Sequence, residues 1–133
     1  MKKILIISIL LLLSGCSILE AYRMARFDNN EYMLINTIRT QANLGASKCG
    51  TPEIVGVVDN IWFKTVELRN YSESIPNNNE TVKMSQELAN IVKGLSVRYH
   101  SGEETSLNYC VIKFGTIEKN AVIIQNVVGA KPR

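Results

Sequence analysis

The chain has one histidine, one tryptophan and three prolines in 133 residues, and its charges nearly balance. With so little histidine, His100 is the only side chain that titrates near neutrality without a perturbed environment. No C-x-x-C, C-x-x-C-H, H-E-x-x-H, G-x-S-x-G, P-loop or G-x-G-x-x-G occurs, so redox-dithiol, haem, zincin, hydrolase and nucleotide-binding readings have no motif to rest on. Nor do the acids offer a pair on an apolar face at the spacing of a glycosidase dyad. Asn-Gly and Asp-Gly are missing, which removes the strongest short hairpin signal. These absences predict a protein that is not an enzyme and that holds no metal or cofactor.

What is present begins with an export pattern. Met1-Lys2-Lys3 is basic, Ile4 to Leu13 is apolar except for Ser8, and Leu13-Ser14-Gly15-Cys16 closes the segment. An apolar run of about ten residues is too short to span a bilayer as a mature helix, so residues 1–15 read as a cleaved signal. Its removal takes two lysines and no acid, lowering the net charge from +3 to +1. No strongly basic face survives to suggest a nucleic-acid partner. Leu13-Ser14-Gly15-Cys16 resembles the lipobox of bacterial lipoproteins. That resemblance implies a lipidated Cys16, and Ser17 in place of aspartate implies sorting to the periplasmic face of the outer membrane. Acyl chains make such an anchor stable without a transmembrane helix.

The periplasm is oxidising, which changes how the two remaining cysteines read. Cys49 and Cys110 allow one intramolecular connectivity. A structural disulfide is the first expectation, beside free buried thiols and an intermolecular or reactive role.

Four segments carry apolar residues at helical spacing, each behind a capping signal. The first has Asp28-x-x-Glu31 and runs Met24, Phe27, Leu34, Ile35, Ile38, Ala42, with residues 18–27 as a juxtamembrane extension. The second opens at Thr51-Pro52-Glu53 and runs Ile54, Val58, Ile61, Thr65, Leu68. A polar break from Asn70 to Asn79 precedes the third, which has Asn77-x-x-Glu80 and runs Met84, Leu88, Ile91, Leu95. The fourth opens at Ser101-x-x-Glu104 and runs Leu107, Val111, Phe114, Ala121, Ile124, Val128, ending at Gly129. The expected fold is all-α, an up-down four-helix bundle over residues 28–129, after a signal at 1–15 and a lipidated juxtamembrane segment at 16–27. Helices two and four then start at the same end, so a Cys49–Cys110 bridge would staple the end far from the lipid.

Among the remaining candidates, His100 reads as a helix-end cap and Lys131-Pro132-Arg133 as a solvated tail over 130–133. Trp62 and Phe63 are adjacent, so one faces the core and the other a flank. An exposed Trp62 with Tyr71 or Tyr22 is the candidate partner-binding patch.

Arg26-Phe27-Asp28-Asn29-Asn30-Glu31-Tyr32, Ile38-Arg39-Thr40, Asn108-Tyr109-Cys110-x-x-Lys113 and Gly129-Ala130-Lys131-Pro132-Arg133 resemble segments of small lipoproteins encoded by large tailed phages. Some of these are outer-membrane subunits of spanins, complexes that disrupt the outer membrane in lysis. The resemblance implies a protein partner in the periplasm or inner membrane. The alternatives are a carrier of a small apolar ligand, since a bundle core can open into a cavity, and an envelope lipoprotein that blocks superinfection.

Overall fold

Asp28 sets the first helix boundary, because its carboxylate accepts the Glu31 backbone N–H at 2.8 Å from an extended backbone. The computed structural model describes residues 24–133, so the signal, Cys16, Ser17 and Tyr22 lie outside the described residues. Helix α1 (Asn29–Gly45) leads through a 3-10 turn (Ala46–Lys48) to α2 (Ile54–Ser74), α3 (Asn79–His100) and α4 (Leu107–Gly129). No strand occurs among the described residues. Each helix packs on its neighbours in chain order and α4 returns to α1, which closes an up-down-up-down four-helix bundle.

One spacing organises all four helices. The buried positions run Glu31, Ile35, Ile38, Ala42, Gly45 in α1 and Ile54, Val58, Ile61, Thr65, Leu68, Ser72 in α2. In α3 and α4 the series are Thr81, Ser85, Leu88, Val92, Leu95 and Cys110, Phe114, Ile117, Ala121, Ile124, Val128. Steps of four and three alternate throughout, the seam of helices that pack knobs into holes at a shallow crossing angle. Each fully buried Ile, Leu or Phe contributes about 1.5–3 kcal/mol through the apolar surface it removes from water.

Several boundaries differ from the sequence expectation, each for a local reason. Residues 24–28 are not helical; they form an extended lead-in. The Thr51 hydroxyl donates to the Lys48 carbonyl at 2.8 Å, so it does not cap α2, which starts three residues later. At its other end α2 continues through the polar stretch to Ser74, because Ser72 holds an inward position and is fully buried. Asn77 adopts a left-handed φ of 59°, which asparagine tolerates, and shifts the start of α3 to Asn79. Ser101 closes α3 through its N–H to the Val97 carbonyl. The cap of α4 is Ser106, whose hydroxyl accepts the Tyr109 N–H at 3.2 Å.

Candidate functional site

The two ends of the bundle differ in chemistry. At the end where the chain leads in, the inward series stops being apolar. Glu31 of α1, Ser72 of α2, Asn78 before α3 and Lys131 after α4 form a polar layer across the bundle. Glu31 is fully buried, and the Lys131 side chain is 5% exposed. Lys131 Nζ donates to Glu31 Oε2 at 2.7 Å and to Asn78 Oδ1. The other carboxylate oxygen, Glu31 Oε1, accepts from Ser72 Oγ at 2.7 Å and Asn78 Nδ2 at 2.6 Å. Asn78 Nδ2 also reaches the Ser72 carbonyl at 3.1 Å. A buried ion pair is tolerable only when its remaining lone pairs and protons are engaged in this way.

This layer corrects two expectations. Glu31 makes no reciprocal capping bond, because its carboxylate turns inward instead. Lys131-Pro132-Arg133 is not a solvated tail: Lys131 sits three residues beyond Val128, the next inward step of α4. The tail also holds the lead-in segment. Phe27 N–H donates to the Pro132 carbonyl at 2.8 Å, and Ala25 N–H to the Asn77 carbonyl at 3.2 Å. The Arg133 guanidinium lies 5.2 Å from the centre of the Phe27 ring, which packs on Tyr32. Sequence reading missed Glu31, Asn78 and Lys131; extending the four-three count past the last apolar residue would have found Glu31 and Lys131.

At the opposite end Cys49, just before α2, is bonded to Cys110 in the first turn of α4, with Cα atoms 5.8 Å apart. Both are buried. Nearby, the Lys48 ammonium holds the Glu53 carboxyl below its ordinary value, first by a hydrogen bond and then by its charge. Leu107 and Val111, expected in the core, are exposed instead, as is Ile112. Cys110 takes the inward position, which turns its neighbour Val111 by about 100° onto a flank, and Leu107 is the first residue of α4, at the end of the bundle. Tyr109 lies under two cations, with Arg98 4.3 Å and Lys113 5.4 Å from its ring centre.

The remaining candidates are dispersed. Trp62 is half-buried and packs against the core, whereas Phe63 is 65% exposed. Tyr71 is nine residues from Trp62, about two and a half turns, so the two face opposite flanks of α2. Its hydroxyl donates to Asp28 at 3.1 Å and accepts from Asn30 at 3.2 Å. The structure therefore does not join Trp62 and Tyr71 in one exposed patch. His100 Nε2 lies 2.9 Å from Asp59 Oδ1, and Ser96 Oγ donates to that same oxygen at 3.2 Å. Serine and histidine thus share the carboxylate and do not touch through the imidazole, so the three residues lack the order of a nucleophilic triad. No protein-family model, curated protein or solved structure matches this chain.

Proposed function

We propose that this chain is an outer-membrane lipoprotein of the periplasmic face that acts by binding another protein, as the outer subunit of a spanin does. The observation that carries the reading is the pairing of a lipobox at Leu13–Cys16 with exposed Leu107, Val111 and Ile112 at the disulfide-bonded end of the bundle. The Phe27–Pro132 and Ala25–Asn77 bonds hold residues 25–27 at the other end, which supports a disulfide end that faces away from the membrane. Apolar side chains clustered on a surface, bordered by charge, are the usual makings of a protein contact.

The span sets what the partner must supply. The 23 residues of α4 extend only about 35 Å, so an inner-membrane partner with a long periplasmic coiled coil would cross most of the gap and dock on the start of α4. Lipid labelling tests the anchor: incorporation should vanish in Cys16→Ser. Co-expression with the product of the neighbouring gene tests the rest. Outer-membrane rupture should require both proteins, Cys16 and an intact Ile112, and rupture that survives Ile112→Glu would remove the docking face from the reading. Normal lysis after deletion of this gene, with no substitute spanin, would end the lysis role.

A further inference from the structure

Glycine inside a helix weakens it, so each instance calls for a reason. Gly45 has one: an added Cβ would lie 2.5 Å from Phe114 Cε1. Gly56, in the first turn of α2, has none within its own chain, nor do Gly94 and Gly115: a Cβ at each would meet nothing within 4 Å and no φ is left-handed. Gly56 lines a groove of about 380 Å³ between the end of α1 and the start of α2. Gly45, Val57 and Ile61 floor this groove and the exposed Leu44 walls it.

Phe63 lies seven residues further along α2. Seven helical steps return within about 20° of the same face and advance about 10.5 Å. One exposed face therefore carries an apolar hole and, two turns on, the most exposed large apolar side chain among the described residues. A knob and a hole displaced along one helix are self-complementary under a two-fold axis midway between them, near Asp59 and Asn60. We propose that the outer face of α2 is a homodimer interface, with α2 antiparallel to its copy and each Phe63 seated over Gly56 of the other chain.

Charge supports a second copy over a foreign partner. Beside the knob, Lys64 and Glu67 are paired at 2.7 Å; at the mouth of the hole, Lys48 and Glu53 are paired at 2.6 Å. The antiparallel pairing sets this flank of α2 against the same flank of the second copy, bringing Lys64 beside its Glu53 and Glu67 toward its Lys48, so opposite charges meet. This interface concerns α2 alone and does not depend on the lipid anchor or on the docking end.

Sedimentation of the full chain in detergent tests it. The expected result is a monomer–dimer equilibrium in which Gly56→Leu and Phe63→Asp each raise the dissociation constant at least about 100-fold. Lys64→Glu should weaken the dimer about tenfold, and adding Glu53→Lys should restore it. Residues 53 and 64 are about 16 Å apart within one helix, so the restoration can act only between copies. Gly56→Leu favours helix and carries the test even if Phe63→Asp unfolds the chain. A chain that stays monomeric at about 100 μM overturns the proposal, as does a dimer indifferent to Gly56→Leu.

Discussion

Replacing Lys131 with methionine isolates the worth of the polar layer. The substitution keeps the length of the side chain but leaves the Glu31 carboxylate fully buried beside Ser72 and Asn78 without its cation. Removing one partner of a buried pair costs about 3–5 kcal/mol, because the charge left behind cannot be rehydrated. Total stability for such a domain is roughly 5–15 kcal/mol, so this is a large share of it. For a chain of this size the melting temperature should fall by roughly 12–25 °C. Urea unfolding of the full chain, followed by helical circular dichroism, gives the midpoint and slope. The double variant Glu31→Leu with Lys131→Met should recover most of the loss, because no charge is then buried. A residue of about 1–3 kcal/mol should persist, since the Ser72 hydroxyl and the Asn78 amide lose the acceptor they shared. A Lys131→Met chain within about 1 kcal/mol of wild type would refute the reasoning. So would a double variant no more stable than the single one, since the coupling between the two sites would then be absent.

Breaking the Cys49–Cys110 bond, which spans 61 residues, should lower stability by up to about 4 kcal/mol through the entropy of the unfolded chain, measured as the urea midpoint with and without reductant; an unchanged midpoint would contradict this. The glycines should split by environment. Gly45→Ala forces a Cβ into Phe114 and should cost about 1–3 kcal/mol, whereas Gly115→Ala, whose Cβ meets nothing within 4 Å, should gain up to about 1 kcal/mol; effects of one sign at both positions would refute the packing account. Burial raises the Tyr99 phenol above its ordinary value. The contribution is therefore complete below the unfolded value and disappears as pH rises through the folded one. An absorbance titration should show a late-ionising component that is lost in Tyr99→Phe, and an unchanged titration curve in that variant would exclude this assignment.

The helices were legible because apolar residues recur at helical period along each segment, although of the four expected caps only Asp28 caps a helix. Val58, Ile61, Thr65 and Leu68 announce an inward face wherever they stand, and Gly129 ends α4 as its position suggests. Boundaries were less legible where two signals compete for one helix end. Ser101 reads as the cap of the fourth helix, yet Ser106 supplies that cap and Ser101 lies at the end of α3. Val111 fits helical spacing with Phe114 as well as Cys110 does, and Cys110 is the one that turns inward.

The sequence by itself determined the all-helical class and the count of the helical segments, because each rests on residues near in the chain. Tertiary structure alone decided that Glu31 and Lys131, 100 residues apart, meet in the interior. A glutamate at the third position of a helix and a lysine near a chain end read as surface residues by their type, even where the four-three count sets them on the inward face. They become core residues only when four helices converge and a buried charge on one has its counter-charge and hydrogen bonds delivered by the others.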